Sequence, residues 1–111
     1  MSAVTSDATS ALLRAIRQRI GAGAGFRLEE IKSRTWASAT FVGARHELTF
    51  SLGGADAARE ADAFLVGLEV AEFRLRGHIL ADIALVARTD EEAGDDPRVR
   101  IALEALTVED A

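Results

Sequence analysis

An alternating stretch, RHELTFSL at residues 45–52, is the feature that most constrains the fold. Its even-numbered residues are His, Leu, Phe and Leu, and its odd-numbered residues are Arg, Glu, Thr and Ser. Successive side chains of a strand point to opposite sides of a sheet, so this period of two predicts a half-buried strand. Gly43 and Ala44 separate it from the β-prone segment 26–42, and we interpret the two segments as a hairpin.

Two other segments carry the period of an amphipathic helix. In residues 6–20, apolar side chains recur every three or four positions, Ser6 and Thr9 are candidate N-caps, and the run stops at GAGAG, residues 21–25. A second stripe follows Gly54 and ends near Gly67; its members are Ala57, Ala58, Ala61, Phe64, Leu65 and Leu68. The sequence therefore predicts two helices, one on each side of the hairpin.

The sequence of the last third of the chain predicts β structure. Alternating patterns in FRLR, HILADIALVAR and RVRIALEAL predict three strands within residues 73–106. Between the last two lies TDEEAGDDP, residues 89–97, which contains a Gly and the chain's one Pro. We expect a long polar hairpin loop here, with five carboxylates at Asp90, Glu91, Glu92, Asp95 and Asp96.

The element order is therefore α-β-β-α-β-β-β. With 111 residues the chain has too little material for two cores, so we expect one α+β domain over residues 1–111. Its sheet should be mainly antiparallel, with both helices on one face. The strands offer more apolar surface than two short helices cover, which favours self-association.

Composition excludes several kinds of site and partner. The chain has no cysteine, hence no disulfide, thiolate zinc site or cysteine nucleophile, and nothing suggests an oxidising compartment. A formal net charge of -5 disfavours direct DNA binding, because phosphate repels an acidic protein. No signal sequence or run of roughly 20 apolar residues is evident. We expect a cytoplasmic protein with no membrane partner.

Motifs for catalysis or cofactor binding are missing from the sequence. GAGAG closes a helix instead of opening one, and a dinucleotide fingerprint would need glycine where Phe26 stands. A metal or catalytic centre would need His46 and His78 to converge with a carboxylate such as Glu47 or Asp82, which their spacing does not require. We expect a core or edge histidine at each position, no metal, no cofactor and no enzymatic activity.

Two aromatic residues and the acidic segment are the candidates for an interface. Trp36 is either a core residue, which we favour, or a buried anchor between proteins, where Trp is enriched. Phe41 lies close to it in sequence. The acidic segment lacks the alternating ligands of a calcium loop, so a solvated hairpin tip is the favoured interpretation.

Three segments together resemble the DUF3168 family of phage and gene transfer agent tail completion proteins, which is related to tail terminators. WASATFVGARHELTFSL resembles the family's polar turn and H-x-L-T strand, FRLRGHILADIALVAR its following strand pair, and RVRIALEALTVED its closing strand. The likeness spans roughly residues 26–110. Family members commonly carry a longer segment, often with Pro, where this chain has GAGAGFRLEE.

The resemblance implies a role in assembling a virion or particle. Such proteins form a ring, commonly hexameric, that caps the growing tail tube and joins it to the head connector. The implied partners are other copies of the chain, tail tube proteins and connector proteins, with DNA passing through the lumen unbound. The acidic segment could then line that lumen, where repulsion keeps DNA from sticking.

A binding module is the alternative from a different class. A stand-alone dimer could use the sheet face near Trp36 and Phe41 to hold a small apolar ligand or a partner protein. An enzyme would require His46, His78 and scattered carboxylates to converge.

Overall fold

In a computed structural model, the described residues form a four-stranded sheet and two α-helices. The structure describes residues 3–23, 25–93 and 96–110, with side chains at all of these except residues 3–6, 92 and 93. The elements are α1 (Ala3–Ile20), β1 (Gly25–Ala37), β2 (Val42–Gly53), α2 (Ala57–Leu65), β3 (His78–Ala93) and β4 (Asp96–Glu109). A short 3₁₀ turn, Leu68–Val70, follows α2.

The sheet is antiparallel throughout, in the order β1-β2-β4-β3. β2 and β4 form its centre, and β1 and β3 are its edges. The register is regular between β2 and β4, whereas bulges interrupt β1 between Leu28 and Glu30 and β3 between Leu80 and Asp82 and between Leu85 and Ala87. The long β3–β4 hairpin makes the molecule elongated, with dimensions of 51 × 25 × 21 Å.

Both helices pack on the same face of the sheet, which we call the covered face. The even-numbered residues of the 45–52 stretch are buried there, as the alternation predicts. Phe50 lies at the centre, with its ring centroid 5.2 Å from that of Phe26 and 5.5 Å from that of Phe64. The main core cluster also includes Leu12, Ile16, Leu48, Leu52, Ala57, Ala61, Leu68, Ile83, Val99, Ile101, Leu103 and Ala105. The predicted α+β class and the shared face of the helices are confirmed.

Arg19 ties the end of α1 to the end of α2. Its Nε donates to the carbonyl oxygen of Phe64 at 3.0 Å, and its Nη2 donates to that of Val66 at 2.7 Å. The guanidinium also lies over the rings of Phe64 and Phe73, 5.7 and 5.8 Å from their centroids. Because the last carbonyls of a helix lack intrahelical partners, this arginine satisfies acceptors that α2 cannot satisfy itself.

Several predicted boundaries are wrong. α1 spans Ala3–Ile20, so Ser6 and Thr9 lie inside the helix and are not at its N-cap position. The first hairpin turns at residues 38–41, where the amide of Phe41 donates to the Ser38 hydroxyl, and Gly43 and Ala44 belong to β2. The β-forming composition around residue 41 hid that turn, since side-chain capping by Ser38 replaces a glycine there.

The predicted strand FRLR does not form, so the described part of the chain contains four strands and not the predicted five. Leu75 makes one isolated bridge with His78 around a tight turn at Gly77, whose φ is +77°. Phe73 and Leu75 instead pack their side chains against the helices. Their alternation arises from packing of an irregular segment on the core and not from sheet pairing.

The predicted polar loop at residues 89–97 is also wrong. β3 continues to Ala93 and β4 starts at Asp96, with Glu91 opposite Arg98 and Glu92 opposite Pro97. Residues 94 and 95, and so Asp95, lie outside the described part of the chain. The ion pair between Glu91 and Arg100 links the two strands, and an acidic run resembles a loop when its partner strand is not considered.

Replacing Arg19 tests the link between the helices. Arg19→Ala should lower the free energy of unfolding by about 1–2 kcal/mol, because two charged hydrogen bonds and two ring contacts are lost at a partly exposed site. Urea unfolding followed by circular dichroism measures this. Arg14→Ala, at an exposed position of the same helix, is the control, and equal effects of the two changes would contradict the role of Arg19.

Candidate protein interface on the open face of the sheet

The second face of the sheet carries no helix from the described residues, and we call it the open face. Residues on it alternate with the core residues along each strand, so the exposed Arg45 and Glu47 of β2 flank the buried His46. Small side chains such as Thr49, Ala84 and Ala102 occupy much of its centre.

Two pairs of like charges stand side by side in the middle of the open face. Arg34 of β1 is directly opposite Arg45 of β2, and Glu47 of β2 is directly opposite Glu104 of β4. We call these the arginine pair and the glutamate pair. All four side chains are exposed, and none has an ion-pair partner within 4.0 Å among the described residues.

A shallow groove runs between the two pairs. It has a volume of about 350 Å³ and is lined by both pairs together with Lys32, Asp82 and Leu106. Lys32 is paired with Glu30 at 3.2 Å, whereas Asp82 has no ion pair with a described residue. Its charged lining suits a polar partner better than a small apolar ligand.

One end of the open face holds a closed network of ion pairs. Arg100 bonds Glu29, in the β1 bulge, at 2.8 Å and Glu91 of β3 at 2.6 Å. The hydrogen bond from Arg100 holds the pKa of the Glu29 carboxyl below its ordinary value. Arg100 therefore links three strands by ion pairs at this end, in contrast to the two pairs of like charges at the centre of the face.

The acidic segment predicted as a free hairpin tip is largely paired with arginines. Arg88 bonds Asp90 at 2.8 Å and Asp62 of α2 at 2.6 Å. Asp96 lies 3.8 Å from Arg98, and the pKa of Asp90 is lowered by its bond to Arg88. The side chain of Glu92 and all of Asp95 lie outside the described part. The described carboxylates are thus components of an ion-pair network on strands.

Trp36 lies at the opposite end of the open face and not in the core, so the favoured core interpretation is wrong. Its indole packs on Gly43, and its Nε1 is buried without a hydrogen-bond partner among the described residues. Phe41, in the neighbouring turn, is 54% exposed, as is Ile79 of β3. This end of the face is the most apolar.

His46 anchors a chain of buried hydrogen bonds on the covered face. Its Nδ1 shares a hydrogen bond of 2.7 Å with the Ser33 hydroxyl, which lies 2.7 Å from the Thr9 hydroxyl of α1. Its Nε2 shares one of 2.9 Å with Thr107, whose hydroxyl donates to the carbonyl of Ala44 at 3.4 Å. A neutral imidazole satisfies both neighbours, so the predicted core histidine is confirmed.

His78 shares the end of the sheet with His46 but not its chain of hydrogen bonds. Its Nδ1 donates to the carbonyl of Arg76 at 3.1 Å, and its buried Nε2 has no partner in the described part. Among the described residues, no three His, Asp or Glu side chains come together as metal ligands would. Neither helix described is long and apolar enough to cross a membrane.

The sequence predicts candidate interface residues at one end of the open face but none at its centre. Trp36 and Phe41 are both at the apolar end. The arginine and glutamate pairs were not predicted, because opposition across strands depends on register, and the sequence alternation shows only that each side chain points away from the core.

Comparisons with known proteins identify the fold. No family model matches the chain, and no curated protein matches it either. A solved structure titled "Virion of native gene transfer agent (GTA) particle" contains a chain with the same fold. The TM-score is 0.70 at 19% sequence identity, and the match covers 97% of this chain and 99% of that one. The DUF3168 resemblance therefore stays a resemblance, whereas the shared fold is established along nearly the whole chain.

Protonation of His46 should destabilise the protein. Burial holds the pKa of His46 below its ordinary value of 6.5, and the charge of His78 lowers it further. The unfolded chain therefore binds a proton that the folded chain does not, so the free energy of unfolding should fall as the pH drops below about 6.5. The free energy of unfolding should fall by at most about 1.4 kcal/mol per pH unit for this single proton.

The measurement is urea unfolding between about pH 7.5 and 5, above the range where most carboxylates titrate. His46→Gln, which keeps hydrogen-bonding groups but does not titrate, should show a smaller slope in this window. Equal slopes for the two proteins would rule out the proton linkage.

Gly43→Ala tests the close packing beneath Trp36. An added Cβ would overlap the carbonyl oxygen of Thr107, which is backbone of β4, and would lie 2.9 Å from the indole Nε1. The substitution should cost about 1–3 kcal/mol of unfolding free energy, as overpacking typically does. Gly23→Ala, with no atom within 4 Å of the added Cβ, is the control, and similar unfolding midpoints would disprove the predicted clash.

Proposed function

We propose that this chain is a structural subunit of a phage-like or gene transfer agent particle, acting as a tail terminator or head-tail joining protein. The supporting observation is the fold, which it shares over 97% of its length with a chain of a gene transfer agent virion. The sequence resemblance to tail completion proteins points independently to the same class. At 19% identity the relation lies in the fold, so the role itself is our inference.

In this role the chain works by assembly and not by catalysis. Copies form a ring, a hexamer by the family resemblance, between the tail tube and the head connector. The edge strands β1 and β3 carry backbone groups without ladder partners, which are suited to contacts with neighbouring subunits. Their bulges limit such contacts to short segments. Assembly would take place in the cytoplasm, and the finished ring would stay in the particle tail.

The β3–β4 hairpin is our candidate for the surface that lines the DNA channel. Its acidic residues Asp90, Glu91 and Asp96 face arginines at 2.6 to 3.8 Å, so it is an ordered surface with balanced charge. The chain as a whole carries a formal charge of -5. DNA would pass such a wall without specific binding, since affinity for phosphate needs a surplus of clustered cations.

Deletion of the gene in a particle-producing strain tests the role. Without a ring to cap the tube and join it to the head, we expect unjoined heads and tails of irregular length in negative-stain electron micrographs. Re-expression of the wild-type chain should restore joined particles and is the control. Joined particles in normal yield without the gene would refute the proposal.

Cryo-electron microscopy of purified particles would show the position of this chain directly. Density for this fold should form a ring at the junction of tail and head, with the β3–β4 hairpin toward the channel. If the β3–β4 hairpin lay on the outer surface of the ring, the proposal that it lines the channel would be wrong, whereas the proposal of a ring would stand.

The binding-module alternative draws its support from the open face alone. The groove there is lined by charged side chains, which favours a protein partner over a small apolar ligand.

A further inference from the structure

At two places on the open face, side chains of like charge lie directly opposite each other on neighbouring strands. Like charges directly opposite on neighbouring strands repel, at a cost of a few tenths of a kcal/mol to about 1 kcal/mol per pair. The arginine pair and the glutamate pair are two such oppositions in adjacent rows. Glu47 also lies opposite Lys32 of β1, but the ammonium of Lys32 is paired with Glu30 at 3.2 Å. Like charges that stand opposite each other, with no ion pair to a described residue, are typical of a surface selected for function and not for stability.

Elsewhere on the sheet, several opposite charges form ion pairs. Arg100 reaches Glu29 and Glu91, and Arg88 reaches Asp90, all at 2.6 to 2.8 Å. The four residues in the middle of the open face have no such partner among the described residues. Their charges are therefore free to pair with a second molecule.

The two pairs complement each other, and that property identifies the partner. One face carries both a doubly positive and a doubly negative site on neighbouring strands. A second copy turned by a two-fold axis between the sites brings its glutamate pair over the arginine pair, and its arginine pair over the glutamate pair. Such an interface is isologous, the commonest kind in homodimers. We propose that the open face binds a second copy of this chain, face to face.

The available area is close to what a stable dimer needs. Eleven register pairs join β2 and β4. Four strands about 4.8 Å apart, over about eleven residues of 3.3 Å each, give roughly 700 Å² per copy. A standard interface uses about 800 Å² per partner. Trp36, Leu106 and the 54% exposed Ile79 add apolar surface and one aromatic anchor at the same face.

Charge reversal with complementation tests this proposal. The full chain is studied by light scattering on a sizing column at about 100 µM and about 50 mM salt, where surface charges are weakly screened. Wild type should have twice the monomer mass of 11.8 kDa. R34E/R45E makes all four central residues acidic, and E47R/E104R makes them all basic. Each variant alone should dissociate at least about a hundredfold more readily, because its faces repel.

An equimolar mixture of the two variants should recover the dimer mass, because an acidic face then meets a basic one. R74E/R76E and E69R/E72R are matched controls, as they change net charge equally at exposed positions off the sheet and should leave wild-type dimerisation intact. Thermal unfolding by circular dichroism verifies that every variant is folded.

Three results would overturn the proposal: a monomeric wild type under these conditions, variants that associate as well as wild type, or separate monomers in the mixture. The last would mean that the arginine pair and the glutamate pair do not face each other between two copies of the chain. The proposal stands apart from the particle role, since a ring subunit needs no face-to-face dimer. Failure here leaves the gene-deletion result unaffected, and normal particles without the gene would leave the dimer intact.

Discussion

The structure depends on the one-sided burial of its sheet. Helices α1 and α2 both lie on the face that carries Phe50, and the alternation along β2 places every other residue of that strand against them. Burying those side chains, at about 25 cal/mol per Å² of apolar surface, is what sets the register of the central strands, because a shift by one residue would expose them. The same constraint leaves the charged residues of the open face in a fixed array.

Polar contacts refine this arrangement without creating it. The chain of hydrogen bonds through His46 joins α1, β1, β2 and β4, so four elements share one buried imidazole. Arg19 joins the C-terminal ends of α1 and α2 through hydrogen bonds to two backbone carbonyls. His46 and Arg19 each form hydrogen bonds with donors or acceptors that the hydrophobic layer would otherwise leave unpaired. Because an unpaired buried donor or acceptor is costly, these hydrogen bonds make the native packing more specific.

Elements governed by local periodicity were predictable, and features governed by pairing across the sheet were not. The helix stripe through Leu12 and Ile16 and the β2 alternation were correct because each depends on which side of its own element is buried. The loop prediction for residues 89–97 is wrong because the pairing of β3 with β4, including the ion pair between Glu91 and Arg100, cannot be recognised from the acidic run alone. Trp36 was placed in the core because an aromatic in a strand usually packs there, but nothing in the sequence marks Gly43 as the surface it covers. The arginine and glutamate pairs depend on register in the same way.

The bulges at both edges of the sheet affect how copies can aggregate. Unlimited growth of a sheet from chain to chain requires edges that can form an unbroken ladder, as in fibrils. Here β1 is interrupted once and β3 twice, whereas β2 and β4 pair regularly over their described length. A pool of free subunits that accumulates at high concentration is thereby protected from fibre formation, and association is restricted to contacts of limited extent.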